Sequence, residues 1–284
     1  MASLSLGAAT AASDGPLSPR WLAVTVLGIF AVEVGKNASG EIFDFATDAA
    51  VAPEDRSPFS GGKRVLVDRL LNRRQTAAVA AVGYAVGAAA GLAIAMAREP
   101  AVLGLGLAGF AAAYFYNAPP LRLSYRGLGE ITVGLCYGPG IACGTYLVQR
   151  GTVSRSVLWL SLPLGLLIAA FLWISQFPDF RADAAARKRN WVVRLGRPRA
   201  ARVFALELLA AFGLLAALPL AGLPKGVWWG GVGMIPAAMA ARAALSHPEG
   251  MKRIVPAQGQ TLLSFLLLAL GSSVGLLAFP KPGA

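Results

Sequence analysis

Five polar side chains recur along the segment 33–48 of this chain. They are spaced four, four, three and four residues apart and are Glu33, Asn37, Glu41, Asp44 and Asp48. At about 3.6 residues per turn, this spacing places all five on one stripe of a helix. The stripe continues an apolar run that begins at Trp21, where carboxylates are costly to desolvate. A divalent cation suits such a stripe, because Mg²⁺ prefers oxygen ligands and is often held by one or two carboxylates plus substrate phosphates.

A second acidic motif follows near the middle of the chain. The Asp-x-x-x-Asp spacing of residues 44–48 returns at 179–183, again at the end of an apolar run. Gln176 falls on the same helical face as this second pair. Both motifs are followed by basic segments that align without gaps, residues 64–74 and 189–199. This internal repeat predicts a metal–polyphosphate site between two halves of the molecule.

The elements that must position these residues are apolar. The chain has 284 residues, of which 56% are hydrophobic and only 14% are charged, a composition typical of polytopic membrane proteins. We therefore predict an all-α transmembrane helical bundle of about eight spans, each close to the roughly 20 residues that a bilayer requires. The predicted spans are 21–43, 76–97, 101–117, 128–148, 156–177, 201–223, 226–246 and 260–279.

The net charge of +12 is distributed unevenly between the two ends of these spans. Loops on the side of the acidic motifs hold 17 Lys and Arg, whereas the opposite loops hold six. The positive-inside rule then predicts a multi-pass protein of the cell inner (cytoplasmic) membrane whose motif loops face the cytoplasm. A nucleic-acid partner is not expected, because the composition belongs to the membrane class, and the partner implied by the spans is the lipid bilayer.

The sequence predicts a short tail and a single domain. Residues 1–20 are rich in Ala, Ser and Gly and lack an apolar run, which indicates a disordered N-terminal tail. Residues 21–280 form a single transmembrane domain.

Further motifs accompany the acidic pairs. They are the segment 60–66 (Ser-Gly-Gly-Lys-Arg-Val-Leu), the segment 116–123 (Tyr-Asn-Ala-Pro-Pro-Leu-Arg-Leu), the segment 127–130 (Gly-Leu-Gly-Glu) and the segment 193–196 (Val-Arg-Leu-Gly). With them the chain resembles the UbiA superfamily of intramembrane prenyltransferases over residues 21–280. It departs from the family pattern at Gly40, where the family has Asn, and at Arg187, where Gly is usual. The family has nine transmembrane helices, with the first motif ending the second helix, so we expect that the family's first helix is missing here, through loss or a misplaced start.

The resemblance implies a set of site residues. Mg²⁺ ions would be held by Glu41, Asp44, Asp48, Asp179 and Asp183, with Asn37 and Gln176 beside them. Lys63, Arg64 and Lys188 would neutralise a diphosphate, while Tyr116 and Arg122 would help to hold substrate. The alternative for Lys63 and Arg64 is a basic loop that serves membrane topology. Glu41 and Asn37 are the candidates to replace the family's Asn at position 40, and Glu41, three residues before Asp44, is better placed.

The implied reaction is prenyl transfer from a polyprenyl diphosphate to an aromatic acceptor in quinone biosynthesis. The motif at 127–130 is most similar to that of the menaquinone-pathway branch, whose members prenylate 1,4-dihydroxy-2-naphthoate. Three enzyme alternatives are a 4-hydroxybenzoate-like acceptor, a homogentisate-like acceptor and terpene cyclisation. An ion-coupled transporter is the alternative from another class, although it would place its carboxylates near the bilayer midplane.

Overall fold

The computed structural model describes residues 1–279, which form twelve α-helices and no strand. The helices are α1 (Ala2–Ser13), α2 (Pro19–Phe43), α3 (Phe45–Ala49), α4 (Arg73–Ala97), α5 (Val102–Phe115), α6 (Gly129–Leu135), α7 (Ile141–Arg150), α8 (Arg155–Ala185), α9 (Trp191–Leu195), α10 (Arg197–Ala217), α11 (Met234–Ser246) and α12 (Met251–Ala278). Short 3₁₀ segments lie at Pro53–Asp55, Leu123–Tyr125, Leu218–Ala221 and Lys225–Gly233. The predicted all-α bundle is confirmed.

Six of the predicted spans are helices long and apolar enough to cross a membrane: Pro19–Phe43, Arg73–Ala97, Gly129–Arg150, Arg155–Ala185, Arg197–Ala221 and Met251–Ala278. The span predicted at 101–117 is the 14-residue helix α5. The one predicted at 226–246 is divided between the 3₁₀ segment that begins at Lys225 and the 13-residue helix α11. Glycines explain this division, since four of them interrupt residues 225–233.

The prediction of a disordered tail is wrong for residues 2–13, because α1 packs into the bundle against α7, α8 and α12. Leu6 and Ala11 are fully buried. Gly7 lies so close to the backbone of Ala142 that a Cβ could not fit between them. Small residues allow this approach, and close backbone packing is a usual source of helix association in membranes. A helix thus precedes α2, where the sequence predicted none, although α1 has only 12 residues against 25 in α2.

The two halves of the bundle pack differently. In the first half, α2 and α4 cross through glycines, and a Cβ on Gly83 would stand 2.7 Å from the carbonyl oxygen of Ala31. In the second half, α8, α10, α11 and α12 enclose larger apolar side chains, among them Phe177, Phe204 and Leu268, all fully buried. Between α6 and α7 the helix widens into a π segment at Cys136–Gly140, which contains Pro139. Such segments often mark functional positions in helices.

Candidate active site

The first acidic pair lies where helix α2 ends. Asp44 leaves the helical conformation, with φ −98° and ψ 5°, and the short helix α3 follows it directly. Asp44 and Asp48 are 7% and 8% exposed. The Tyr125 hydroxyl lies 3.0 Å from Asp44 Oδ1, to which it donates, and 3.2 Å from the Thr47 hydroxyl. The 3₁₀ segment Leu123–Tyr125 therefore fixes the orientation of the first carboxylate.

The second acidic pair lies near the end of α8, where Asp179 and Asp183 are one turn apart. The buried amide of Asn190 donates to Asp183 Oδ2 at 2.7 Å, while its oxygen caps helix α9 by accepting the Val193 N–H. The backbone N–H of Gly61 donates to Asp179 Oδ2 at 3.0 Å. The second pair is thus held from two directions, by the start of α9 and by the loop that follows α3.

Lys188 joins the two pairs. Its Nζ lies 3.4 Å from Asp183 Oδ1 and 3.9 Å from Asp44 Oδ2, above the ring of Tyr125. Burial lowers the pKa of Lys188, but the charges of Asp183, Asp44 and Asp179 outweigh burial and leave its pKa above its ordinary value. The lysine is therefore a permanent cation between the two halves.

One lysine does not balance the carboxylates of the first pair. Burial raises the pKa of Asp44 although Lys188 and the Tyr125 hydroxyl oppose it. Burial and the negative charge of Asp44 together raise the pKa of Asp48 to about 7. Excess negative charge of this kind destabilises the ionised carboxylates, and a divalent cation would relieve it.

The loop between α3 and α4 lies across both pairs. Gly61 and Gly62 adopt left-handed backbone conformations, with φ of 72° and 68°. Besides the bond from Gly61 to Asp179, the loop packs so tightly at Gly62 that a Cβ there would overlap the Asp48 carboxylate. Only glycine combines this backbone conformation with this close approach. The Gly-Gly sequence thus allows one loop to contact both acidic motifs.

Glu41 is buried and holds the same loop. Its Oε1 accepts the N–H of Lys63 at 2.5 Å and its Oε2 accepts the N–H of Leu66 at 3.3 Å. Glu41 therefore anchors the backbone of the loop between α3 and α4. The role of Glu41 as a metal ligand stays a prediction.

The predicted cations other than Lys188 lie at the rim of the site. The side chain of Lys63 is exposed. Arg64 donates to the backbone oxygen of Asp48 at 3.1 Å and pairs with Asp68 at 3.0 Å. The Arg122 guanidinium lies 5.1 Å from the centre of the Tyr125 ring. None of these three contacts an aspartate carboxylate of the two motifs among the interactions of residues 1–279.

The amide groups of Asn37 and Gln176 donate hydrogen bonds to glutamates and not to the aspartates of the motifs. Asn37 donates to Glu33 Oε1 at 3.1 Å, and Gln176 donates to Glu130 Oε1 at 3.0 Å. Neither Asn37 nor Glu41 fills the space that a side chain at Gly40 would occupy. The amide nitrogen of Asn117 lies 2.8 Å from the position of a Cβ on Gly40 and takes that space instead.

Sequence reasoning missed Tyr125, Asn190 and Asn117 as neighbours of the site. Asn190 carried a detectable signal, because an Asn three residues before the apolar Val193 is a typical helix N-cap. Tyr125 and Asn117 come from the α5–α6 connection. Their approach to α2 depends on tertiary packing, and no local pattern in the sequence indicates it.

The acidic side chains fit Mg²⁺ only in combination with further ligands. Within residues 1–279, no three His, Cys, Asp or Glu side chains lie close enough to hold a metal ion by themselves. Two buried oxygens at the second motif accept no hydrogen bond in the structure, Asp179 Oδ1 and Gln176 Oε1, while Asp183 Oδ1 is paired with Lys188. Mg²⁺ commonly binds one or two carboxylates and completes its shell with water and phosphate oxygens, so these residues fit it.

An apolar cavity of about 540 Å³ lies between α2, α4, α5, α6 and α7. Tyr116 lines it, and a Cβ on Gly129 would stand 3.3 Å from the Tyr116 hydroxyl. Tyr116 also lies near Lys188. Tyr116 therefore lies between the cavity and the acidic site, and its role in holding substrate stays a prediction.

Comparison with known sequences gives a consistent result. A model described as the UbiA prenyltransferase family matches residues 1–266. The 1,4-dihydroxy-2-naphthoate octaprenyltransferase of Mycobacterium tuberculosis is 30% identical over 262 residues, which cover 91% of this chain and 86% of that protein. The 2-carboxy-1,4-naphthoquinone phytyltransferase of Synechocystis is 33% identical over 99 residues, which cover 35% of this chain and 32% of that protein.

Solved structures share the fold. A UbiA homologue from Aeropyrum pernix has a TM-score of 0.66 at 20% identity, with 98% of this chain and 97% of that chain covered. A UbiA homologue from Archaeoglobus fulgidus, solved with GPP and Mg²⁺, has a TM-score of 0.61 at 15% identity, with 96% and 95% covered. The extent of the sequence match shows the family, and the chain belongs to the UbiA prenyltransferase family.

Proposed function

We propose that the chain transfers the prenyl group of a polyprenyl diphosphate to an aromatic acceptor of the 1,4-dihydroxy-2-naphthoate type, with Mg²⁺ as cofactor. The observation that supports this most directly is the meeting of two acidic pairs through Lys188 beside an apolar cavity. The acidic end suits a metal-bound diphosphate and the cavity suits a prenyl tail.

Each half of the chain contributes a part of the diphosphate site. Asp44 and Asp48 would hold Mg²⁺ on one side, and Asp179 and Asp183 on the other. Bound Mg²⁺ would act as a Lewis acid that neutralises charge on the diphosphate oxygens. Lys188 would add a fixed positive charge from the protein, and Lys63 and Arg64 would approach the phosphates from the loop above.

In the reaction, the bond between the allylic carbon and the bridging oxygen breaks, and its electron pair leaves with the diphosphate. The resulting allylic cation is attacked by a ring carbon of the acceptor, which afterwards loses a proton. The apolar lining of the cavity excludes water, which would otherwise capture the cation. The protein would therefore stabilise the diphosphate leaving group and keep water away from the allylic cation.

The acceptor class is supported by the relatives. The protein from Mycobacterium tuberculosis that matches most of this chain is named as a 1,4-dihydroxy-2-naphthoate octaprenyltransferase. Two further proteins of that name, from Mycobacterium leprae and Bacillus subtilis, match about two thirds of this chain at 29% and 22% identity. These names favour a naphthoate over a 4-hydroxybenzoate-like or homogentisate-like acceptor.

The test is a transfer assay with purified protein, prenyl diphosphates of several lengths and the three acceptor classes, with products identified by mass spectrometry. We expect prenylated naphthoate, no product in excess EDTA, and losses of at least about 100-fold for Asp44→Asn and for Asp179→Asn. Asp14→Asn is the matched control, because Asp14 bonds Tyr146 outside the site and its loss should leave transfer intact. Full activity in either site variant would refute the proposal.

A further inference from the structure

Two charged side chains line the otherwise apolar cavity. Among the cavity-lining residues in the described part of the chain, only Glu33 and Lys36 are charged. Both lie on α2, two to three turns before Asp44. Charged groups within a membrane-spanning helix are expensive to bury, and they usually face a functional cavity. The acidic motifs do not account for this pair.

Glu33 is held in place by neighbours on two sides. The Tyr137 hydroxyl donates to its Oε2 and the Asn37 amide donates to its Oε1. Tyr137 belongs to the π segment between α6 and α7, so the widened helix brings this hydroxyl to α2. The carboxylate side chain is nevertheless 37% exposed. It can therefore accept a further hydrogen bond from a molecule in the cavity.

Lys36 is only weakly paired. Its Nζ lies 3.6 Å from Glu33 Oε1, outside hydrogen-bond distance, and 5.5 and 5.7 Å from the ring centres of Tyr116 and Tyr137. An ammonium group has three N–H donors, and Glu33 is the one acidic partner recorded for Lys36 among residues 1–279, so donors remain for a ligand. Both tyrosine rings therefore lie close to this cation. The arrangement offers a cation, a carboxylate and aromatic faces in one place.

We propose that Glu33 and Lys36 bind the acceptor, and that they select an aromatic acid with a hydroxyl group ortho to its carboxylate. The carboxylate would bind Lys36, the neighbouring hydroxyl would donate to Glu33, and the ring would contact Tyr116 and Tyr137. In an ortho-hydroxy acid the two groups occupy adjacent ring carbons, so both can reach protein atoms 3.6 Å apart. In a para-hydroxy acid they point in opposite directions.

The position along α2 suits this role, which rests on the proposed function. Lys36 lies eight residues before Asp44, or about 12 Å along the helix axis. That separation leaves room for a diphosphate at the acidic end and for one aromatic ring system beside Lys36. It also makes Lys36 a poor ligand for a diphosphate held by Asp44, because Lys188 and not Lys36 is the lysine beside that carboxylate.

The test measures equilibrium binding to the full-length protein in detergent. The acid probe is 1-hydroxy-2-naphthoate, compared with its para isomer 4-hydroxy-1-naphthoate, and the second probe is geranyl thiolodiphosphate with Mg²⁺. We expect Lys36→Met to weaken binding of the ortho acid at least about tenfold, because the variant loses one charge-assisted hydrogen bond to the carboxylate. Its affinity for the thiolodiphosphate should stay unchanged. Lys36→Arg should retain binding of the ortho acid, and Lys225→Met, remote from the cavity, should bind both probes normally.

The outcomes separate this inference from the proposed function. Unchanged binding of the ortho acid to Lys36→Met, equal losses for both probes, or equally tight binding of the two isomers to the wild-type protein would each overturn the acceptor site alone. Wild-type protein that fails to bind thiolodiphosphate in Mg²⁺ would overturn the proposed function and this inference with it. Because Lys36→Arg keeps the charge, its failure to bind the ortho acid while it still binds thiolodiphosphate would also count against the acceptor site.

Discussion

At the scale of single residues, Lys188 is the side chain on which the geometry of the site depends most. It contacts an aspartate from each motif, and it is the one cation among the predicted diphosphate ligands that does so within residues 1–279. Removing one partner of a buried charge cluster leaves the other charges without compensation. We therefore expect the lysine to contribute to stability, in addition to its proposed role in substrate binding.

We predict that Lys188→Met will lower the melting temperature in the absence of metal by an amount equivalent to about 3–5 kcal/mol, because the aspartates lose their counter-charge. Mg²⁺ with inorganic diphosphate should restore a large part of the loss, since the metal supplies positive charge to the same carboxylates. Thermal unfolding in detergent measures both effects. Lys225→Met is the control, and a Lys188→Met variant that melts like the wild type would contradict the prediction.

The sequence revealed the acidic residues and missed what surrounds them. The spacing of Asp44, Asp48, Asp179 and Asp183 is periodic, and helical periodicity can be read from one sequence. The spacing of Glu41 correctly placed it on the buried stripe, but its partners are backbone groups of a loop. Loop conformation depends on left-handed glycines and tertiary contacts, so the partners of Glu41 could not be derived from the pattern.

At the scale of elements, the loop between α3 and α4 is the connection that assembles the site. It bonds Asp179 through Gly61 and Glu41 through two backbone N–H groups. It is also fixed to the second half, where Phe59 packs edge-on against Phe171 of α8. The loop therefore behaves as a cover that is anchored on both halves.

We predict that Gly62→Ala will raise the Mg²⁺ concentration needed for half-maximal transfer, because its Cβ would displace the Asp48 carboxylate. Gly61→Ala is the matched control. Both glycines have positive φ, so both variants bear a similar backbone strain of about 1–2 kcal/mol, but the nearest atom to a Cβ on Gly61 is 3.6 Å away. Mg²⁺ titrations of the transfer activity of both variants test this prediction. Equal increases in the half-maximal Mg²⁺ concentration would contradict the steric explanation.

We predict that Glu41→Ala will loosen the loop even without metal, since the two backbone N–H groups of Lys63 and Leu66 lose their acceptor. Amide hydrogen exchange in residues 61–66 should quicken about tenfold or more, the effect of losing a hydrogen bond to a charged group. Asn37→Ala is the control, because Asn37 bonds Glu33 and does not touch the loop. If exchange in the metal-free protein stays unchanged, Glu41 is not the anchor.

The helices themselves were largely predictable. Long apolar runs fix the spans. The predicted ends of α2 and α4 agree with the structure to within a few residues, and so does the predicted C-terminal end of α12. The helix α1 was not predicted because Ala, Ser and Gly resemble a disordered segment in composition. Their small size is what allows α1 to pack closely against α7, and such packing becomes visible only with both helices in place.

At the scale of the whole molecule, the excess of Lys and Arg on the motif side predicts that the site faces the cytoplasm. In a variant with Cys136 and Cys143 replaced, single cysteines at the exposed positions Glu54 and Ala184 should react with an impermeant maleimide only after permeabilisation. A cysteine at Thr152, exposed at the opposite end of the spans, is the control and should react in intact cells. Labelling in the reverse pattern would overturn the orientation.

The contact of Lys188 with Asp44 also has a consequence for synthesis. The ribosome completes α2 and its aspartates long before Lys188, which is made only after α8. During that interval the nascent chain carries a carboxylate cluster whose fixed counter-charge does not yet exist. The end of α2 must then remain hydrated at the membrane surface. Translation of the second half thus completes the charge pairing of the site.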